Sequence, residues 1–263
     1  MKNNKYKILV LSDLKESSEN LFESSLSLAK RVHGDIEFFH VKRPSDVVDK
    51  ENQLNAIRNI KEGYKLADKQ LKSLIGSVSG DYNVNYNIAF GNVKNEIEKH
   101  IKTSQPDIIV LGKRKSKSLG FIGDNITRFI LKNYNVTIFI ASNKDTLKSN
   151  KMLSLGVLND FEKSSSFADK LVETSDIPLK SFKIRDDSSL IKNEAITSKQ
   201  KDVIEYVFEK QSDTIKNISN YLHKSSIDLF CVNRSNIKNG TRIKKSEIES
   251  MINTFNGPLL ITG

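Results

Sequence analysis

Within residues 1–142, short apolar runs alternate with longer stretches whose apolar residues recur every three or four positions, and this rhythm leaves few folds open. Residues 8–11 (ILVL), 36–41 (IEFFHV), 108–111 (IIVL) and 136–141 (VTIFIA) have strand length, and the unbroken runs suit strands covered on both faces. Tyr82, Val84, Tyr86 and Ile88 alternate as in a fifth strand. Between them, helix faces are expected from Leu21, Ser25, Leu28, Ala29 and Val32, then Ile57, Ile60, Tyr64, Ala67, Leu71 and Leu74, then Val93, Ile97 and Ile101, and last Ile126, Phe129 and Ile130. Ser17 or Ser18 is placed to cap the first helix, and Gly34 stands where a left-handed terminator belongs. Parallel neighbours need crossovers, and these helices supply them. The expectation is α/β, a doubly wound parallel sheet of five strands.

The pattern then restarts. VLSDLKESS from Val10 matches VLNDFEKSS from Val157, pairing Asp13 with Asp160 at a separation of 147, whereas Asp107 matches Asp228 and Ile140 matches Ile261 at a separation of 121. The chain therefore reads as two copies of one unit, the second trimmed by 26 residues (147 less 121) in its middle. The loss corresponds best to the long helix within residues 47–74, since residues 186–201 are too short and polar to replace it. The expected organisation is a first domain at 1–142, a polar linker at 143–151 and a shortened domain at 152–263.

A chain of 263 residues has room for two such cores, and its 37% hydrophobic and 28% charged composition is that of a globular protein. Its apolar runs are far too short to span a bilayer, and residues 1–7 do not resemble a signal peptide, so a cytoplasmic location without membrane contact is expected. The single cysteine, Cys231, lies inside IDLFCV and reads as a small core residue; His33, His40, His100 and His223 show no metal-ligand spacing. His40 alternates in phase with Ile36 and Phe38, as a hydrogen-bonded histidine at a strand end would. The net charge of +10 favours anionic partners, but its spread along the chain argues against nucleic acid.

Residues 106–142 (PDIIVLGKRKSKSLGFIGDNITRFILKNYNVTIFIAS) read as strand, basic loop, helix and strand, with the loop where doubly wound folds hold ligands. With Asp13 after the first strand, His40-Val41 ending the second and Gly112 opening the loop after the fourth, the chain resembles the universal stress protein family in its tandem form. The resemblance implies the strand order 3-2-1-4-5 in each half, and last strands that meet across a two-fold axis. It also implies ATP or AMP as a ligand of the first half, since ATP-binding members carry Gly, two residues, Gly, about nine residues, then Gly and Ser or Thr. Here Lys115 replaces the second Gly, the interval to Gly123 is short and Asp124 replaces Ser or Thr. A Cβ limits backbone approach to phosphate, and a carboxylate at a helix start repels it, so ATP binding is expected to be weakened or lost, with no bound cofactor.

Positive charge persists in both loops. Residues 112–123 carry Lys113, Arg114, Lys115 and Lys117, and residues 233–245 carry Arg234, Lys238, Arg242, Lys244 and Lys245, with no acid in either. Two readings follow: an anion site made of side chains, or solvated lysines in a lysine-rich chain. The candidate ligand residues are Ser12, Asp13, Val41, Gly112, Lys113, Arg114, Gly123 and Asn125, with no catalytic or metal-ligating set. The expected role is a stress-response module that binds a protein partner or small anion. The alternatives are slow ATP hydrolysis in the first half and nucleic-acid binding through the basic loops. Within one chain the two halves would pair as a pseudo-dimer, and homodimerisation stays open.

Overall fold

The computed structural model describes residues 5–15, 18–43, 53–78, 82–113, 125–148, 153–158, 166–175, 178–185, 203–234 and 245–263. The first half runs β1 (Tyr6–Ser12), α1 (Ser18–Val32), β2 (Gly34–Lys42), α2 (Gln53–Val78), β3 (Val84–Phe90), α3 (Val93–Ser104), β4 (Ile108–Gly112), α4 (Asn125–Asn133) and β5 (Thr137–Ala141). The second runs β6 (Leu155–Leu158), α5 (Ser166–Glu173), β7 (Leu179–Arg185), β8 (Val203–Glu209), α6 (Thr214–Lys224), β9 (Leu229–Asn233), α7 (Lys245–Thr254) and β10 (Leu259–Thr262). All ten strands form one sheet in the order β3-β2-β1-β4-β5-β10-β9-β6-β7-β8, so each half has the order 3-2-1-4-5.

Every strand pair is parallel except β5 with β10, which pair antiparallel through Ile140 and Leu259, Phe139 and Leu260, and Ile138 and Ile261. The expected pair of five-stranded sheets is thus one continuous sheet, its apolar last strands covering each other's edges. The repeat is visible in the register: Ile8 lies beside Ile108 and Leu155 beside Leu229, reproducing the separations of 147 and 121. The matched aspartates do the same work. Asp107 Oδ2 accepts from Lys7 N at 2.8 Å, and Asp228 Oδ2 accepts from Ser154 N at 3.0 Å, each tying the start of the fourth strand of its half to the first.

Two apolar layers sandwich the sheet. One packs β-strand residues such as Ile8, Phe38, Val110, Phe139, Val157 and Leu260 under α1, α2 and α5; the other packs Ile109, Ile138, Phe230 and Ile261 under α3, α4, α6 and α7. Cys231 is fully buried in the first layer, and burial pushes its thiol far up. Helix α1 is buried more completely than one apolar stripe requires: Ser24, Ser25 and Ser27 are buried along with Phe22 and Leu26. It touches both α2 and α5, so the second half covers a face that would be exposed in an isolated first half. Residues 143–148 also dock on it. Asn20 Nδ2 donates to Asn143 O at 2.6 Å, Arg31 Nη2 donates to Lys148 O at 2.9 Å, and Leu147 is buried.

The helix terminator differs from the sequence expectation. His33 takes the left-handed conformation (φ 55), while Gly34 already belongs to β2, where an added Cβ would lie 2.6 Å from Ile8 Cδ1. The glycine serves close strand packing, not the turn. The trimmed middle also shows in the sheet. In the first half, Phe38, Val84, Tyr86 and Ile88 face the core beneath α2. The corresponding face of β7 and β8 carries Ser181, Lys183, Glu205 and Val207, with Lys183 Nζ 2.8 Å from Glu205 Oε2 and Val207 exposed. Charge stands there where the first half has apolar contact. Residues 186–202, where a replacement for the long helix would fall, lie outside the described residues.

Candidate functional site

The first half holds a cavity of about 480 Å³ at the carboxyl ends of β1, β2 and β4, next to the point where the strand order reverses between β1 and β4. Its lining mixes apolar residues, among them Leu21, Phe39, Ile97 and Leu111, with Lys15, Lys42, Arg43, Gln70 and Thr127. A cavity of that size matches small-molecule sites. Ser12, Asp13, Val41 and Gly112, four of the residues picked out from sequence, all line it.

The β1–α1 turn is held by its own side chains. Ser12 Oγ accepts from Leu14 N at 3.2 Å and contacts Ser18 Oγ at 3.3 Å, while Asp13 Oδ1 accepts from Lys15 N at 3.3 Å. These bonds hold Leu14 at a φ of 57, an arrangement that costs a β-carbon-bearing residue about 1–2 kcal/mol. The amides of Leu14 and Lys15 are thereby spent on protein oxygens. His40 is buried with Nδ1 2.9 Å from Ser12 O. A carbonyl only accepts, so Nδ1 carries the hydrogen, as expected for a hydrogen-bonded strand-end histidine. His40 also lines the cavity.

Gly112 leaves ordinary space: an added Cβ would be 3.7 Å from Leu21 Cδ2. Asn125 opens α4 and is exposed, and the neighbouring Ile126 and Thr127 line the cavity in its place. Arg114, Gly123, Lys115 and Asp124 lie outside the described residues, as does Asp160 of the second copy.

Lys113 departs from the sequence expectation of an anion ligand. Its ammonium donates to the carbonyl of Phe255, just beyond α7 in the other half, and burial lowers its pKa to about 8. The equivalent residue of the second half, Arg234, makes the reciprocal contact. Its Nη1 and Nη2 donate to Tyr134 O at 3.2 Å and Val136 O at 2.5 Å, just beyond α4, and burial lowers its pKa as well. Lys113 and Arg234, like Tyr134 and Phe255, are 121 residues apart, so the two bonds are related by the pseudo-two-fold. A cation at a helix C-terminus is favoured by the carbonyls that the helix leaves unpaired. The first basic residue of each loop is a clamp between halves.

Sequence reasoning missed Lys15, Lys42, Arg43, Gln70 and Thr127. Lys42 ends the second strand and Arg43 follows it, and that position beside the first strand was the available signal. Among the described residues there is no group of three or more metal-ligating side chains, and no helix long and apolar enough to cross a membrane.

A doubly wound parallel unit occurring twice in one chain, with an open crevice at the switch point of the first copy, defines a tandem α/β protein. The universal stress protein family model matches residues 6–141, just over half of the chain, and the chain belongs to that family. Among solved structures it is similar to a universal stress protein from Archaeoglobus fulgidus DSM 4304, with 18% identity, a TM-score of 0.71 and coverage of 97% of this chain and 95% of that one. A putative universal stress protein from Pseudomonas aeruginosa UCBPP-PA14 is similar at 11% identity and a TM-score of 0.59, covering 98% and 93%. At these identities the likeness concerns the fold over both halves. No curated protein matches the sequence significantly.

Proposed function

We propose that the chain is a stress-response module that acts by binding, with the first-half cavity taking a small anionic ligand and a weakened grip on ATP. The observation that carries this reading is the open cavity at the switch point, where Lys15, Lys42 and Arg43 face a single lining carboxylate among the described residues, Asp13. Excess positive charge in a crevice with apolar walls raises the local concentration of anions. The weakened ATP grip has separate support. The turn amides of Leu14 and Lys15 are already bonded, Lys113 is committed to Phe255, and the loop lacks the second Gly of ATP-binding members. A role inside the cytoplasm fits a chain whose only cysteine is a buried core residue.

Calorimetric titration with ATP, AMP and inorganic phosphate, with and without Mg²⁺, tests the reading, together with extraction of any copurified ligand. The expected result is binding of a small anion and ATP affinity weaker than micromolar. Micromolar binding of ATP would overturn the claim of a weakened grip, and no binding of any anion would overturn the reading as a whole.

A further inference from the structure

A second cavity, of about 590 Å³, lies away from the switch point, at the amino ends of β9 and β10. Its walls are residues 144–148 of the segment that joins the halves, the last turn of α6, and residues leading into β9 and β10, among them Asp228 and Pro258. Doubly wound sheets hold ligands at the carboxyl ends of their strands, so the scaffold alone does not account for this space; the joining of two halves does. Burial sorts its lining. Leu147, Leu153, Leu222, Ile227 and Phe255 are buried, whereas Lys144, Asp145, Lys148 and His223 are exposed, which gives an apolar interior and a rim carrying charges of both signs. Size and lining of this kind are those of small-molecule sites.

The interior wall departs from its copy in the first half. At the repeat separation of 121, Gly257 stands where the first half has Val136. A Cβ at Gly257 would lie 2.5 Å from Phe255 Cζ and 3.0 Å from Cε1, so the missing side chain lets the Phe255 ring lie over its own backbone and line the cavity, edge-on to Phe230 at 5.7 Å. Tyr134, the counterpart of Phe255, turns instead to Phe129 at 5.9 Å. The rim is also held in place. Ser142 Oγ accepts from Lys144 N and Asp145 N, both at 3.1 Å, and donates to Asn256 O at 2.5 Å. Leu147 N donates to Ser24 Oγ at 3.2 Å, and Lys148 O accepts from Arg31. The backbone that carries Asp145 and Lys148 is thus positioned before any ligand arrives, which lowers the cost of binding. Three residues of chain span at most about 10 Å, and a dipeptide holds its two charged ends roughly 7 Å apart.

We propose that this cavity binds a short zwitterionic peptide of dipeptide size, with its apolar side chains against the Phe255 wall, its ammonium at Asp145 and its carboxylate at Lys148. A ligand of a single charge sign meets repulsion from part of the lining: Lys144 and Lys148 oppose a cation, Asp145 and Asp228 an anion. A ligand with both charges and an apolar body matches the interior and both signs of the rim. The assignment does not rest on the anion-binding reading of the first cavity.

Isothermal calorimetry on the intact chain tests it with the dipeptide Leu-Phe as probe. Two controls accompany it: acetyl-Leu-Phe-amide, which keeps the body and loses both charges, and Gly-Gly, which keeps the charges and loses the body. The variants are D145N and K148M, at exposed positions where substitution leaves the fold intact, and G257V, which restores the side chain of the first-half copy and displaces the Phe255 ring. Circular dichroism and urea unfolding check each variant, and a G257V chain that fails this check leaves the test to the two rim variants. The expected result is a Leu-Phe Kd below about 1 mM, with both controls at least about fivefold weaker. Leu-Phe affinity should fall about three- to tenfold in each rim variant and at least about fivefold in folded G257V. No saturable binding of Leu-Phe up to about 10 mM would overturn the site. Binding of the capped dipeptide within about twofold of the free one would overturn the ligand class, and rim variants within about twofold of wild type would overturn the placement.

Discussion

The clamp made by Lys113 has a pH signature that can be worked from its surroundings. Burial holds its pKa at about 8, against 10.5 for an exposed lysine. The folded-state value is lowered, so between about pH 8 and pH 10.5 the unfolded chain binds more protons than the folded one, and stability rises with pH across that window. Below about pH 8 both states are protonated and the cost of burying the charge is present in full. A gap of 2.5 (10.5 less 8) at about 1.36 kcal/mol per unit sets a ceiling near 3.4 kcal/mol. The side chain keeps partial contact with water, and the Phe255 carbonyl favours the charged form, so about 1–2 kcal/mol is expected to survive. Lys113→Met keeps the stem and removes the titration. Equilibrium urea unfolding of both proteins at about pH 7 and about pH 10 isolates the difference, because the tyrosines that titrate near the upper limit are common to both. Wild type should gain about 1–2 kcal/mol on K113M between the two conditions. Profiles that stay parallel to within about 0.3 kcal/mol would refute a buried Lys113 ammonium.

Gly34→Ala places a Cβ 2.6 Å from Ile8 Cδ1 and 3.1 Å from the Tyr6 carbonyl, and urea unfolding should show a loss of about 1–3 kcal/mol. Gly112→Ala meets only Leu21 at 3.7 Å, so stability should stay within about 0.5 kcal/mol and any change in ligand affinity reports on the cavity. Asp107→Ala and Asp228→Ala each remove a strand-to-strand acceptor in the same geometry, and chemical denaturation should give similar losses of about 1–2 kcal/mol for the two. Arg234→Leu removes two charged bonds to the Tyr134 and Val136 carbonyls, and thermal unfolding should register a loss of about 2–3 kcal/mol.

The strands were legible because their chemistry is local. ILVL and IIVL read as buried strands from four residues each, and both lie at the centre of the first-half sheet. The pairing of β5 with β10 was legible too, since two apolar last strands in one chain have each other's edges within reach. Asp13 and Gly112 were found as cavity residues through the family resemblance, which supplied the strand order and with it the switch point. What sequence could not show depends on contacts between distant residues. Nothing around Lys113 points to Phe255, 142 residues away, so a buried clamp read as a candidate anion ligand in a basic loop. Gly34 looked like a helix terminator because that is the commonest use of glycine after a helix; only the approach of Ile8 reveals its use in packing. The serines of α1 gave no sign that the helix is covered on several sides, because the second cover comes from α5 of the other half.

The two separations, 147 and 121, also say where the second copy has been free to change. Everything that touches the junction has kept its register: β9 and β10 pair as β4 and β5 do, Arg234 mirrors Lys113, and Asp228 mirrors Asp107. Change has accumulated on β7 and β8, at the far edge of the sheet, where a helix-facing surface has become the Lys183, Arg185 and Glu205 ion-pair cluster. That gradient follows from the physics of edges. An unpaired β5 would expose Ile138, Phe139 and Ile140 along with its free backbone groups, so a tandem chain must keep a matching strand beside it. Among the described residues, no strand pairs with the far side of β8. In the proposed function the second half then serves as a built-in partner: it covers the β5 edge, packs α5 on α1 and receives the Lys113 ammonium, while anion binding is concentrated in the first half, where α2 still walls the cavity.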